Sequence, residues 1–375
     1  MNKQLTILQK RLLTKNKVDA LLISSSHNIG YLTGFFGFSK TEREGYVLVT
    51  KKHVYFFASG LNSQAVEKHI AAMQDTTISL VEISPRTPLT KHILATIITK
   101  EKIKNFGFEK YHLSFAEFER LKKDLTTHLV PTGFLIEELR MNKTDSEISA
   151  IQKACALGDK AFTHALGKIK NGITENELAF EIEFFIRKAG AQLSFPSIVA
   201  FGFHASVPHH VTSNQRLKTN SWILLDFGVQ IDNYCSDMTR TVFFGKATTE
   251  QKRMYHTVLE AQRRSFEQLS NETMQQSGNK PIKAADIDNI ARSYIVSQCF
   301  PTIPHSVGHG IGLEVHEPPR ISLKITDILT ENMVFSLEPG IYLPKAGGVR
   351  IEDLVVLRKK GPEFLTKAKR SFLEI

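Results

Sequence analysis

The sequence predicts an α+β protein of two domains, in which a smaller α/β domain with a mixed sheet precedes a larger domain that ends in strands. Three observations support this prediction. The chain has 375 residues, which exceeds the usual size of a single hydrophobic core. Short apolar runs alternate with helical stretches at the start of the chain, whereas 305–375 consists mostly of strand-like segments and turns. A helix-start signal at Thr144 separates the two patterns.

The first domain is predicted to span 1–135. Its apolar runs include VDALLIS, GYVLVT, HVYFFAS, ISLVEIS and IKNFGFE. Short runs rich in Val, Ile and Phe, separated by helical stretches, are typical of an α/β domain. This part of the sequence contains no cluster of His, Cys and acidic residues, so we assign it no chemistry.

A linker is predicted over 136–143, and the second domain over 144–375. Thr144 and Glu147 have the spacing of a capping box ahead of a long amphipathic pattern. A second helix, TENELAFEIEFFIRKAG, is expected to end at Gly190. Beyond it, the pattern predicts strands around 194–202 and 222–244 and helices around 248–278 and 284–298.

The composition excludes several classes of protein. Hydrophobic residues make up 42% of the chain and charged residues 23%, which is ordinary for a globular protein. No apolar run approaches the roughly 18 residues that span a bilayer, and the first residues lack the apolar core of a signal peptide. The net charge of +10 is spread over scattered Lys and Arg, without the basic block expected of a nucleic-acid-binding protein. We therefore predict no membrane or nucleic-acid partner.

The cysteines indicate the compartment. Cys155, Cys235 and Cys299 are the only three, and no two of them form a CxxC pair. An odd and scattered set argues against both a disulfide framework and a cysteine zinc site. The prediction is a cytoplasmic protein.

An aspartate interrupts each strand of a predicted hairpin. The strand-like segments SWILLDFGVQ and NYCSDMTRTVFFG contain Asp226 and Asp237. With a turn centred between Ile231 and Asp232, the two aspartates would be cross-strand neighbours about 4.5–5.5 Å apart. Two facing carboxylates repel each other unless one is protonated or a cation lies between them.

A second hairpin repeats this arrangement. MVFSLEPGIYL and VRIEDLVVLR are joined by the turn signal PKAGG. Glu338 and Glu352 lie seven residues to either side of Lys345. They too are expected to face each other across the hairpin.

The two acidic pairs favour a metal site. The alternative is that each acid lies on the exposed polar face of its strand, but two symmetric pairs within strongly apolar strands make that alternative the weaker one. Carboxylates with few imidazoles suit Mn²⁺, Co²⁺ or Fe²⁺. Four carboxylates can hold two such ions about 3.5–4 Å apart, as in two-metal hydrolases. A lone zinc in a closed site would use more Cys or His.

Three histidines cluster in PHSVGHGIGLEVHEPP. His309 lies among glycines, where we expect the backbone to approach a ligand closely; His305 and His316 flank it. The glycines lack the G-x-G-x-x-G spacing of a nucleotide-binding loop.

A further pair, His209 and His210, follows Pro208 shortly before the first hairpin. A histidine at this position could stabilise an oxyanion or transfer a proton, although a plain loop pair remains the alternative. His204 and His256 are expected to be ordinary surface or core histidines. No nucleophile elbow or cysteine protease pattern is present.

Together these motifs resemble the metal-dependent pita-bread peptidases, the group of prolidase, aminopeptidase P and methionine aminopeptidase. DFG…YCSDMTRT, GHGIGLEVHEPP, LEPGIY and GGVRIEDLVV carry the resemblance, which covers about 140–370. The group's ligands occur in the order Asp, Asp, His, Glu, Glu. The matching positions are Asp226, Asp237, His309, Glu338 and Glu352.

The resemblance implies a pita-bread catalytic domain, a creatinase/prolidase-type N-terminal domain and a homodimer. It implies that Asp237 and Glu352 bridge two ions, with Asp226 on one ion and His309 and Glu338 on the other. His209 and His316 would contact the scissile region and stabilise the tetrahedral intermediate. His305 and Arg350 would lie close by, with Arg350 orienting Glu352 or contacting substrate.

The expected function is hydrolysis of Xaa-Pro bonds by a metal-bridged hydroxide, with Glu338 as proton acceptor. Mn²⁺ or Co²⁺ is the expected ion, and Fe²⁺ or Zn²⁺ is an alternative. The expected substrates are proline-containing dipeptides, as for prolidase; longer Xaa-Pro peptides, as for aminopeptidase P, are the alternative. More remote alternatives are a metal-free creatinase-like amidinohydrolase and an inactive binding protein.

Overall fold

A computed structural model describes residues 3–14, 18–274 and 281–375. The chain forms two compact units, Met1–Arg140 and Met141–Ile375. The division falls within the segment predicted as a linker, where Glu137–Met141 form a short helix. No helix among the described residues is long and apolar enough to cross a membrane.

The first unit contains a mixed sheet flanked by helices. Its helices are α1 (Lys3–Thr14), α2 (Ser26–Thr33), α3 (Gly60–Met73), α4 (Ala95–Glu101) and α5 (Phe115–Asp124), with α6 (Glu137–Met141) at its end. A π-helical turn, Leu89–Leu94, precedes α4. Its strands are β1 (Ala20–Ile23), β2 (Gly45–Thr50), β3 (Val54–Ser59), β4 (Ile78–Ile83), β5 (Asn105–Glu109) and β6 (His128–Thr132).

The strand order in this sheet is β4-β3-β2-β1-β5-β6. β2 pairs antiparallel with β1 and β3, while β4 pairs parallel with β3, and β5 with β1 and β6. The predicted mixed sheet is therefore confirmed. Leu48, Phe57 and Phe106 are fully buried in its core, as expected of apolar runs covered by helices.

The second unit begins with helices α7 (Asp145–Leu166) and α8 (Glu175–Lys188). Both start with a complete capping box. The side chain of Thr144 or Thr174 accepts a hydrogen bond from the backbone N–H of the glutamate three residues later. The side chain of that glutamate accepts a hydrogen bond from the backbone N–H of the threonine. Gly190, the predicted stop of α8, has a φ of 81°, which favours glycine.

The remaining helices are α9 (Thr249–Met274) and α10 (Ala284–Ser297). The last residues of the helix predicted over 248–278 lie outside the described residues. The strands are β7 (Gln192–Leu193), β8 (Ile198–Phe201), β9 (Ser221–Phe227), β10 (Val229–Ile231), β11 (Tyr234–Cys235), β12 (Met238–Phe244), β13 (Ile282–Lys283), β14 (Gly308–Gly310), β15 (Glu317–Ile321), β16 (Ile328–Leu329), β17 (Val334–Leu337), β18 (Gly340–Leu343), β19 (Gly347–Arg350), β20 (Asp353–Arg358) and β21 (Gly361–Phe364). A 3₁₀ turn, Gly202–Ser206, follows β8.

Strand β9 lies in the centre of the β12-β9-β8 sheet and is buried on both faces. Ile223 and Leu225 pack in one apolar cluster with residues of α7 and α8. Trp222 and Leu224 pack in another with residues of α9 and α10. Because side chains alternate along a strand, Asp226 shares the face of Trp222 and Leu224. An acid therefore sits on a buried face of an apolar strand.

Candidate metal centre

The hairpin that carries the two aspartates has a register different from the predicted one. Asp226 lies opposite Thr239, not Asp237. The turn is centred between Asp232 and Asn233, which have φ values of 51° and 68°, the pattern of a two-residue type I′ turn. This centre lies one residue later than predicted, so each partner moves by two positions along the opposite strand.

Asp237 is nevertheless on the face of Asp226. It precedes Thr239 by two residues, and side chains two apart on an extended segment point to the same side. The register places Gly228 opposite Asp237. A Cβ at Gly228 would collide with the carbonyl oxygen of Ser236, so the DFG glycine permits the close approach of the two strands.

The second acidic pair has the predicted register. Leu337 pairs with Asp353 on one side, and Gly340 pairs with Arg350 on the other. Both flanking pairs share one register, which sets Glu338 opposite Glu352. The equal spacing about the turn was sufficient for this prediction because no bulge intervenes.

His309 lies between the two hairpins. Its Nε2 is 3.4 Å from Glu338 Oε1 and 3.7 Å from Asp237 Oδ2. Asp237, His309 and Glu352 each contribute one potential ligand atom, and these atoms lie within 4.8 Å of one another. His309 Nδ1 is 3.2 Å from the carbonyl oxygen of Gly310; a proton donated there leaves the Nε2 lone pair directed at the carboxylates, as in metal-ligating histidines.

The glycines around His309 serve strand packing. A Cβ at Gly308 would collide with the carbonyl oxygen of Ser336 in β17. This glycine therefore lets β14 lie against β17, and the close approach of a ligand to this backbone stays a prediction.

Three carboxylate oxygens in this cluster are buried without a hydrogen-bond partner. They are Asp226 Oδ1, Asp237 Oδ1 and Glu352 Oε1. A buried, unpaired carboxylate oxygen is costly, and a cation is the partner that would relieve three of them together. Four carboxylates with one imidazole form a hard, oxygen-rich donor set. The residues present thus fit divalent metal ions.

The crowding of acids perturbs their protonation. Burial, and next the Glu338 charge, raise the pKa of Glu352 well above its usual value. Burial, and next the charge of Glu352, do the same for Asp237. Burial also raises the pKa of Glu338. Without cations, these carboxyl groups retain protons that ordinary carboxyl groups lose.

The neighbouring imidazoles are kept neutral. Burial lowers the pKa of His305 and His309. Burial, and next the charge of His309, lower the pKa of His316 to about 4. The His316 ring packs edge-on against that of His309, with centroids 4.4 Å apart. Neutral imidazoles can ligate a metal or donate one N–H.

Arg350 is buried beside this cluster, where it was expected to orient Glu352 or to contact substrate. Its Nη2 donates to Asp226 Oδ2 at 2.6 Å. It reaches Glu352 only through Thr239, whose hydroxyl accepts from Arg350 Nε at 3.0 Å and donates to Glu352 Oε2 at 2.7 Å. Sequence reasoning missed Thr239; its position two residues after Asp237, on the same face, was the available signal.

Tyr342 is a second residue that sequence reasoning missed. Arg350 Nη1 donates to its hydroxyl at 3.1 Å, and that hydroxyl lies 2.8 Å from His305 Nε2. His305 Nδ1 is 2.8 Å from the carbonyl oxygen of Ser306, an atom that only accepts. The consistent assignment is therefore His305 with its proton on Nδ1 and Tyr342 donating to Nε2.

The loop after β8 brings His209 and His210 to different environments. His209 is exposed, whereas His210 donates from Nε2 to Glu175. His204 also donates to Glu175. His256 is exposed. The carbonyl of Pro208 accepts from Arg350 Nη1 at 3.3 Å, which connects this loop to the carboxylate cluster.

Comparison with known proteins identifies both parts of the chain. Residues 149–359 match the model of metallopeptidase family M24, and residues 7–142 match that of the creatinase/prolidase N-terminal domain. A protein of Pyrococcus horikoshii named Xaa-Pro dipeptidase is 33% identical over 362 residues, covering 96% of this chain and 95% of that protein.

Solved structures agree with this assignment. An Xaa-Pro dipeptidase from Bacillus anthracis has a TM-score of 0.87 and 32% identity, over 99% of both chains. An X-Pro aminopeptidase from Thermotoga maritima has a TM-score of 0.80 and 30% identity, over 98% of this chain and 99% of that chain. The predicted pita-bread architecture with its N-terminal domain is confirmed. The chain belongs to metallopeptidase family M24.

Proposed function

We propose that this protein is a metal-dependent Xaa-Pro dipeptidase, which releases proline from dipeptides. The observation that carries the proposal is the buried cluster of four carboxylates and one imidazole, three of whose carboxylate oxygens have no hydrogen-bond partner. The similarity over nearly the whole chain to proteins named Xaa-Pro dipeptidase supports the substrate class.

Five residues would hold two divalent ions. Asp237 and Glu352 would be shared between the ions, Asp226 would complete one ligand set, and His309 and Glu338 the other. When bound, such ions supply an acidified water and polarise the scissile carbonyl. The oxygen-rich donor set favours Mn²⁺ or Co²⁺, with Fe²⁺ or Zn²⁺ as alternatives.

Glu338 is the proposed proton acceptor. Its Oε1 accepts from Ser336 Oγ at 3.3 Å, and its Oε2 lies 4.0 Å from His305 Nδ1. This carboxylate would lie beside the water that the ions supply, which is the position that a proton acceptor needs. It would hold the proton taken from the attacking water and return it to the leaving proline nitrogen.

His316 and His209 would stabilise the developing oxyanion. Because its pKa is lowered to about 4, His316 is neutral at pH 7 and can donate a single N–H without carrying charge. His209 is exposed in the loop after β8, and it would contact substrate from the solvent side. A positioned donor of this kind contributes typically about 3 kcal/mol to transition-state stabilisation.

A panel of dipeptides tests the proposal. Chelated protein reloaded with Mn²⁺ or Co²⁺ is expected to release proline from Ala-Pro and similar dipeptides. Asp237→Asn is the matched inactive control, because it keeps the side-chain volume but removes the charge of a shared ligand. Absence of turnover with every Xaa-Pro substrate under both metals would contradict the proposal.

The second candidate is an aminopeptidase P that acts on longer peptides. The similarity to the Thermotoga maritima X-Pro aminopeptidase favours it. Turnover of Ala-Pro and Ala-Pro-Ala distinguishes the two functions, because a dipeptidase prefers the former and an aminopeptidase P the latter.

The homodimer and the cytoplasmic location stay predictions. Light scattering of the purified full-length chain tests the first, and fractionation of cells tests the second.

A further inference from the structure

A second set of potential metal ligands lies outside the carboxylate cluster. Glu175, the first residue of α8, is completely buried. Its Oε1 lies 2.8 Å from His204 Nδ1, and its Oε2 lies 2.9 Å from His210 Nε2. One ligand atom from each of these residues lies within 4.8 Å of the other two. None of the three belongs to the proposed dinuclear centre.

The Glu175 carboxylate is held in place by three donors that are not histidines. Oε1 accepts from the Phe201 N–H at 2.7 Å. Oε2 accepts from the Ser213 N–H at 3.0 Å and from the Ser213 hydroxyl at 2.6 Å. Outer hydrogen bonds of this kind orient ligating carboxylates in metal sites. They give each oxygen at least one donor in addition to its imidazole.

The two imidazoles are placed like a pair of ligands. Their rings lie 4.3 Å apart, inclined at 30°, and each directs a single nitrogen at the same carboxylate. The side chains of His204 and His210 are 20% and 11% exposed, whereas that of Glu175 is 0% exposed. An ion could therefore enter from the histidine side, where a water molecule could occupy a remaining coordination position.

The ligand types indicate which ion would bind. Two imidazoles and one carboxylate are a common ligand set for zinc with an open fourth position. Imidazole-rich sites suit zinc better than manganese, whereas the carboxylate-rich cluster suits manganese. We propose that Glu175, His204 and His210 form a separate Zn²⁺ site. There the ion takes the place of the two histidine hydrogen bonds and ties the loop after β8 to the start of α8.

The experiment measures zinc binding in a chain whose proposed dinuclear centre is disrupted. The parent is the full chain carrying D237N and E352Q, which removes the two proposed shared ligands. Into it are placed H204N and H210Q, singly and together. The Asn amide nitrogen mimics histidine Nδ1 and the Gln amide nitrogen mimics Nε2, so both substitutions keep the hydrogen bond to Glu175 and remove the imidazole. Zinc content is measured by equilibrium dialysis in a zinc buffer with excess Mn²⁺.

A matched control tests whether a single histidine–carboxylate pair is sufficient to bind zinc. His164 Nε2 lies 3.3 Å from Glu181 Oε2, with only one imidazole on that carboxylate. H164Q in the same parent is expected to leave zinc content unchanged. Circular dichroism of each variant establishes that it is folded.

The parent is expected to retain about one zinc ion per chain. H204N and H210Q should each weaken zinc binding at least about tenfold, and the double variant should abolish it. A parent that takes up no zinc, or zinc uptake that survives the double substitution, overturns the proposal. Neither result depends on peptidase activity, so the proposed function is tested independently.

Discussion

Arg350 Nη2 donates to Asp226 Oδ2 at 2.6 Å, while the other oxygen of the same carboxylate, Oδ1, is buried without a hydrogen-bond partner. One side of the Asp226 carboxylate is thus neutralised by a cation of the chain, and the other is left available for a cation that the chain does not supply. The same guanidinium also donates to Thr239 and Tyr342. Arg350 therefore sets the positions of several groups around the candidate metal centre.

Replacing Arg350 by lysine should keep the positive charge but lose the planar arrangement of hydrogen-bond donors. R350K cannot contact Asp226, Thr239 and Tyr342 at once, because one ammonium group does not have the spread of a planar guanidinium. We expect kcat/KM for an Xaa-Pro dipeptide to fall about 10- to 100-fold in the Mn²⁺-loaded enzyme. R358K, at an arginine that pairs with exposed Asp145, is the control. An R350K enzyme as active as wild type would refute this role.

The Thr239 hydroxyl should contribute to metal affinity. T239V keeps the branched shape but removes both the donor to Glu352 Oε2 and the acceptor for Arg350 Nε. We expect Mn²⁺ binding, measured by calorimetry, to weaken about tenfold or more. T257V is the matched control, since the buried Thr257 hydroxyl donates only to the Arg253 carbonyl within α9. Equal Mn²⁺ affinities in T239V and T257V would argue against the role.

Removing the Tyr342 hydroxyl should impair turnover without removing metal. Burial raises the pKa of Tyr342 to about 12, so this hydroxyl is protonated at neutral pH and can donate to His305 Nε2. Y342F leaves His305 free to change tautomer and orientation, and we expect kcat/KM to fall about tenfold with Mn²⁺ content unchanged. Y255F removes a hydroxyl that donates to the Arg370 carbonyl and serves as control. Loss of Mn²⁺ from Y342F would show that the residue acts on the metal ligands instead.

The metal-free protein should lose stability as the pH rises. Burial and neighbouring carboxylates raise the pKa of Glu352 and Asp237 in the folded state. Between the unfolded pKa, about 4, and the raised folded value, the folded chain binds more protons than the unfolded chain. Its free energy of unfolding therefore falls with increasing pH across this window, and the contribution is present in full only below the unfolded value.

Neutralising one of these acids should counter that loss. In the metal-free state, E352Q should be more stable than wild type by on the order of 1 kcal/mol at pH 8, and the difference should shrink towards pH 5. Urea unfolding at several pH values in the presence of chelator measures it. E363Q, at an exposed glutamate of β21, should show no such trend. A metal-free E352Q that is less stable than wild type at pH 8 would show that repulsion between the buried carboxylates does not destabilise the fold.

The four acidic ligands could be chosen from the sequence because acids inside apolar strands are conspicuous, whatever their exact pairing. His309 joined them through the resemblance of its glycine-flanked motif to the family. The symmetric turn even predicted that Glu338 lies opposite Glu352. The partner of Asp226 was predicted wrongly, since a shift of one residue in the turn centre moves every partner by two. Tyr342 was missed because a hydroxyl residue in a strand has no distinctive pattern, and Thr239 was missed although it lies two residues after Asp237 on the same face.

The sequence alone therefore predicted two domains and the acidic pairs, which depend on local periodicity and residue type, and its motifs carried the resemblance to the family and to the family's ligands. Only the tertiary structure decided which carboxylate Arg350 contacts and which oxygens are left unpaired. It also brought His204 and His210 to Glu175. These contacts join residues that are distant along the chain, and their existence depends on strand register and on burial, which no short segment encodes.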